Sequence, residues 1–420
     1  MKNVIKYIII INLIVLPYFS AQTDTSEDKS NNKSVTFLDE FNSLRNFSGI
    51  GAELNYKGEV FSNISGGMET KSVYLDNIDL VFDFNLEEIV GWKGAKLNSH
   101  ILGNHGGDPS EYSGAAQGIS NIAAYETWKL YQFWLEQNLF DEKLSLLLGL
   151  YDLNSEFDTR ETSSFFINPS HGIGAEYALT GHNGPSIFPY TSLALRVKYN
   201  LTPSFNIKAA VFDGVPGDLT KPNGTHVVLN KEDGLILTTE ISYQSETEKF
   251  NTDYFKYSFG GWYYTSEFEE FDSDLDRNPL LQKGNYGIYA SAEKFLFGEP
   301  DNSSQGLALF LRIGFADKNV NRIDAYYGTG LTYTGLVPGR DEDVLGLAIA
   351  TTHNNQRYIN LMAKEDFKIE DYEYIIELTY ILNVAGWLKV QPDLQYIFNP
   401  TYCNCHKYSF MYGTRLELAL

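Results

Sequence analysis

The sequence predicts an all-β chain: a transmembrane antiparallel β-barrel of about 16 strands behind a short N-terminal periplasmic segment. Three observations carry that reading. From residue 408 to 420, Tyr408, Phe410, Tyr412, Thr414, Leu416, Leu418 and Leu420 alternate with Ser409, Met411, Gly413, Arg415, Glu417 and Ala419. Successive strand side chains point to opposite faces, so one face is apolar and the other polar, as a wall between lipid and water requires. Second, no segment beyond the N-terminus holds the roughly 18–20 apolar residues of a spanning helix, although the chain carries 29 Tyr and 27 Phe. Third, period-two runs follow one another along the chain, and their number is even, as in bacterial single-chain barrels.

The N-terminus comes first. Lys2 and Lys6 form a basic region, Ile8 to Leu16 an apolar core interrupted by Asn12, and Ser20 or Ala21 a small-residue cleavage point. Residues 1–21 therefore read as an export signal peptide. Residues 22–48 read as a periplasmic segment, polar and flexible at first, with Val35, Leu38, Phe41 and Leu44 near helical spacing. The barrel occupies residues 49–420. Its strands are expected to begin near Ala52, Tyr74, Ala95, Tyr125, Lys143, Thr191, Ser204, Gly234, Tyr254, Asn285, Gly306, Ala325, Val344, Tyr372, Trp387 and Tyr408.

With the N-terminus in the periplasm, periplasmic turns should be short and outer loops longer. Residues 200–203 and 383–386 fit tight turns; residues 152–189 and 214–233 fit long outer loops; 317–323 is a short outer loop. Within strands, Leu235, Leu237, Thr239, Ile241 and Tyr243 face out, leaving Thr238, Glu240 and Ser242 inward. By the same alternation Asp79 and Asp83, Arg196 and Lys198, Arg312, and Lys389, Gln391, Asp393 and Gln395 face in. An interior of both charges, amides and hydroxyls is hydrated, and 16 strands enclose more than side chains alone fill.

The formal net charge of −22, about −24 without Lys2 and Lys6, excludes a nucleic-acid surface, which must be basic. Cys403 and Cys405 are too few for a disulfide scaffold, and with His406 show only three ligands for a soft metal. Glu267, Glu269, Glu270, Asp272, Asp274 and Asp276 read as an acidic outer loop. Its Asp-x-Asp-x-Asp spacing lacks the glycine of a calcium loop, since Arg277 stands there. No metal or cofactor is called for.

Eight stretches form a pattern: NISGG at 63–67, GWKG at 91–94, LYQFWLEQ at 130–137, LSLLLGLYDLNSEF at 144–157, FFINPS at 165–170, VFDGVPGD at 211–218, GLVPGRDEDVLG at 335–346 and QPDLQYIFNP at 391–400. In this order they resemble the carbohydrate-selective porins of Gram-negative outer membranes. The chain departs from that family by lacking a Gly-Asp-Trp-Gly-like opening near residues 37–47 and by ending in Leu420 rather than an aromatic residue. The resemblance implies passive diffusion of small hydrophilic solutes, sugars foremost, through a barrel held in outer-membrane lipid and lipopolysaccharide, as a monomer or homotrimer.

Such a pore needs a constriction rather than a catalytic group. The loop 152–189 is the candidate, with Phe157, Arg160, Glu161, Phe166, His171 and Glu176 offering rings for sugar C–H faces and charges for hydroxyls. The expected lining is Asp79, Asp83, Gln132, Glu136, Arg196, Lys198, Lys208, Glu240, Arg312, Asp393 and Gln395. Arg196, Lys198, Lys208 and Arg312 form a basic wall across a transverse field from Asp79, Asp83, Glu136 and Glu240, pair into salt bridges, or do both at once. Pro338 to Asp343 is a charged periplasmic turn in which Arg340 pairs with a neighbouring carboxylate. The rival readings are a non-selective porin, a barrel enzyme acting on lipid through His171 with Ser170 or through His182, and a soluble glycan-binding β-sandwich.

Overall fold

The computed structural model describes residues 47–420 apart from 219, 248–252, 274–278, 300–301, 403–406 and 420. The expected signal peptide and N-terminal helix, and the cysteine pair, lie outside the described residues. Sixteen strands close into one antiparallel barrel. They are β1 Ile50–Gly66, β2 Ser72–Asn85, β3 Ala95–Gly106, β4 Thr127–Leu139, β5 Leu144–Tyr151, β6 Ser192–Asn200, β7 Phe205–Asp213 and β8 Leu235–Gln244. The second half is β9 Phe255–Ser273, β10 Pro279–Glu299, β11 Asn302–Ala316, β12 Ile323–Thr334, β13 Val344–Asn354, β14 Tyr372–Ala385, β15 Leu388–Phe398 and β16 Tyr408–Ala419. Each strand pairs with its chain neighbours, and β16 closes on β1 with Glu59 opposite Arg415.

Alternation decides which face is which. In β8, Leu237, Ile241 and Tyr243 are exposed on the outside while Thr238, Glu240 and Ser242 are buried inside. Closure removes every strand edge, so the backbone groups that lipid cannot satisfy are paired within the wall. The soluble-sandwich alternative is thereby excluded.

Two expectations need correction. β10 begins at Pro279, six residues before Asn285, because β9 and β10 run on as a long hairpin with Glu267 opposite Lys283 and Glu269 opposite Leu281. About ten residues suffice to cross a bilayer, so this 19- and 21-residue pair extends beyond it. Glu267, Glu269, Glu270 and Asp272 therefore lie on a strand rather than in a loop; Asp274 and Asp276 are outside the described residues.

The lumen is also not simply water-lined. Residues 107–126 and 152–191, the connections after β3 and β5, enter it. Ala115, Ala116, Ile119, Ile122 and Ile167 pack with inward-facing Phe61, Tyr326, Ala350, Ile375 and Ile397. On the opposite side Leu153, Phe157, Ile173 and Tyr177 pack with Phe212, Ile236, Trp262 and Tyr289. Tyr177 stacks on Trp262 with ring centroids 3.9 Å apart. Burying these side chains offsets the ordering of two long loops inside the barrel.

Candidate functional site

Both inserted loops hang on wall carboxylates through their backbone N–H groups. Glu240 on β8 accepts from Asp158 N at 2.7 Å, and Glu293 on β10 accepts from Thr162 N at 2.9 Å. Glu377 on β14 accepts from Ile167 N at 2.6 Å and Asn168 N at 3.0 Å. Glu373, two inward positions away on the same strand, accepts from Ala116 N at 3.0 Å, Gln117 N at 3.1 Å and Thr401 N at 2.7 Å. Wall donors complete the hold: Gln391 reaches Phe165 O at 2.8 Å, Gln395 reaches Ile119 O at 2.9 Å, and Tyr326 reaches Ser170 O at 2.6 Å. These are main-chain groups of loops, which secondary structure cannot satisfy and burial makes costly to leave unpaired.

Side-chain charge is paired as well. Arg312 binds Asp158 at 2.8 Å and also holds Glu176, while Arg160 pairs with Asp158. Burial works against the Asp158 carboxylate, but Arg312 and Arg160 hold its pKa below the ordinary range. Burial pushes Glu176 up despite Arg312. Arg196 meets Glu136 at 2.8 Å and Glu156 at 2.7 Å, Lys198 reaches Glu156 at 3.5 Å, and Lys208 meets Glu240 at 2.7 Å. The side chains of the basic wall are therefore engaged in salt bridges. The reason is burial: an unpaired guanidinium or ammonium inside the packed lumen would be far costlier than a paired one. Asp79 and Asp83 do not face these cations either; they bond His100 at 2.8 Å and Asn98 at 2.9 Å across β2 and β3.

The remaining expected residues fall into place around the loops. β4 carries one extra residue against His100 and Ile101, and Tyr131 and Gln132 both reach Asp152 at the loop's start, at 2.8 and 3.2 Å. Burial raises the Asp152 pKa to about 6. Phe157 and Phe166 are buried packing residues, the latter against Phe310. Asp393 and Gln395 bond each other at 3.0 Å, and Asn168 donates to Gln395 at 3.1 Å. Glu161 lines a periplasmic recess with Lys256. His171 is buried between Phe166 and Phe310, 3.5 Å from Glu377, and burial lowers its pKa to about 3. Ser170 and His171 are thus packed inside rather than poised at a rim, and His182 stacks on Phe268.

Among the described residues, two of the cavities flank the loops, one on each side. The outer one, about 950 Å3, is lined by residues of both loops together with Phe271, Arg322 and Tyr358. The inner one, about 580 Å3, is lined by Lys57, Phe165, Asp341, Glu342, Lys389, Gln391, Arg415 and Glu417 among others. Asn121 and Ser164 line both. Ser164 is the single exposed residue between 156 and 181. Arg415 donates to Asn121 Oδ1 at 2.5 Å and is itself held by Glu59. Arg340 pairs with Asp343 at 2.7 Å, as expected of a structural turn.

None of Asn121, Ser164, Lys57, Glu59, Glu293, Glu373 or Glu377 stood among the expected site residues. The inward carboxylates were accessible to the period-two pattern that placed Glu240. The loop 107–126 offered no signal beyond its length.

A closed barrel crossed by two pinned loops, with cavities above and below them, defines a transmembrane channel. The chain belongs to the carbohydrate-selective porin, OprB family, whose model matches residues 69–420. Porin B of Pseudomonas aeruginosa is 28% identical over 389 residues, covering 84% of this chain and 83% of that protein. A putative porin, QuiX, of Acinetobacter baylyi is 20% identical over 81% of this chain and 82% of its own length. The fold matches a high-pH structure of Pseudomonas putida OprB with a TM-score of 0.77 at 23% identity, over 89% of this chain and 94% of that one. The protein is an outer-membrane carbohydrate porin of the Gram-negative type and not an enzyme.

Proposed function

We propose that solutes cross from the outer to the inner cavity through an eyelet at Asn121 and Ser164. The observation that carries this reading is that these two residues line both cavities. Asn121, Ser164 and Arg415 offer hydroxyl-matching donors and acceptors, and Phe165 beside them offers a ring to the C–H face of a sugar. Transport is passive diffusion down a gradient, with selectivity set by cross-section and by the polar groups the solute meets at its narrowest point. Residues 1–21 direct export, and the exposed apolar belt of Leu237, Phe259 and Leu311 meets lipid and lipopolysaccharide acyl chains. One closed ring is a complete path, so monomer and homotrimer permeate alike.

The test is swelling of liposomes carrying the refolded protein in isosmotic sugars of increasing size. Wild type should admit monosaccharides faster than amino acids of equal mass. Ser164→Trp, at an exposed position, should cut hexose influx about tenfold while leaving glycerol nearly unchanged. Equal influx of hexose in both proteins would move the eyelet elsewhere.

A further inference from the structure

Arg322 stands apart from the other arginines of the barrel. Arg160, Arg196, Arg312, Arg340 and Arg415 each hold a carboxylate. Arg322 has no carboxylate partner among the described residues, and its buried Nε has no hydrogen-bond acceptor. Its guanidinium lies 5.1 Å from the centre of the Tyr402 ring, and it lines the outer cavity.

The surroundings of Arg322 are fixed. Asn355 donates its backbone N–H to Arg322 O at 2.8 Å, and its side-chain amide to Asn321 O at 2.8 Å. The same residue caps the helix Gln356–Ala363, its side-chain oxygen accepting from Arg357 N at 2.9 Å. That helix carries Tyr358, whose ring meets Phe271 of the β9 extension at 5.5 Å. Phe271 N donates to Asn319 O at 3.1 Å, tying the extension to the turn that precedes Arg322. An outer loop helix, a strand extension and a turn thus converge on one cavity wall. That wall carries a cation with no carboxylate partner among the described residues, together with the rings of Phe271 and Tyr358.

A guanidinium is a planar fork of donors that matches a carboxylate or phosphate group with two parallel bonds. Aromatic faces take the apolar C–H side of a pyranose ring. We infer that the outer cavity is a capture subsite for a monosaccharide bearing one anionic group, with Arg322 holding the anion and Tyr358 and Phe271 the ring. The inference rests on the reading of the barrel as a sugar channel, and it places charge selection at the mouth, ahead of the eyelet.

Calorimetric titration of the refolded protein in detergent at low salt tests it, with glucuronate, glucose 6-phosphate and glucose as probes. Glucuronate or glucose 6-phosphate should bind at least about tenfold more tightly than glucose, the worth of a charge-assisted bond. Which of the two binds better separates a carboxylate from a phosphate ligand. Arg322→Gln should erase the preference, Arg322→Lys should keep part of it, and Tyr358→Ala should weaken all three sugars; circular dichroism and heat-modifiable gel mobility report folding. Equal binding of charged and neutral sugars by wild type, or a preference that survives Arg322→Gln, overturns the proposal. Glucose-driven liposome swelling is measured in parallel. Loss of swelling with binding intact would count against the channel reading and not against the subsite.

Discussion

His171 shows how burial sets the chemistry of a single side chain. Its ordinary pKa of 6.5 falls to about 3, first through burial and then through the nearby Arg160 charge. The folded protein therefore holds the neutral imidazole, and this contribution to stability is full above pH 6.5 and is lost as pH falls toward 3. Asp158, held low by its arginines against burial, acts in the same direction below its ordinary 3.8. Asp152, raised to about 6 by burial, acts oppositely: it favours the fold at low pH and loses that effect as pH rises through 6. His171→Phe isolates the imidazole. Wild type should lose more thermal stability between pH 7 and pH 4.5 than the variant does, read from heat-modifiable mobility. Equal losses would show that the imidazole is not the acid-sensitive group. At the same scale, Arg312→Met leaves Asp158 and Glu176 buried without their shared cation. Removing one partner of a buried pair costs about 3–5 kcal/mol, so the variant should melt at a clearly lower temperature.

At the scale of elements, β14 is the strand that organises the lumen. Glu373 holds one inserted loop and Glu377 the other, each by paired backbone N–H groups. Glu377→Gln replaces one accepting oxygen by a donor facing a donor, at a cost of about 1–3 kcal/mol. Its expected outcome is a noisier single-channel trace and passage of larger sugars through an otherwise intact barrel. A trace and size limit identical to wild type would mean that the apolar packing alone positions the loop. The strands themselves were largely legible, because lipid outside and polar groups inside impose period two on each of them. Most begin within two residues of their expected starts; β10 and β11 start earlier, at Pro279 and Asn302, and the upper part of β10 pairs with Glu267 and Glu269 beyond the length a bilayer requires. Arg415 was legible as inward on β16. Its bond to Asn121 was not, since nothing local in residues 107–126 announces that they return to the wall of the last strand.

For the whole molecule, the division of labour between wall and loops has a consequence for descent. The carboxylates of β8, β10 and β14 grip main-chain N–H groups, which every residue but proline supplies. Substitution at exposed Ser164 therefore leaves the grip untouched, and the loop keeps its place while the chemistry it shows to a solute changes. A gene encoding this barrel can drift through many eyelets without passing through an unfolded or leaky ancestor. Chains that share the same ring and the same pins are then free to part company in the sugars they admit.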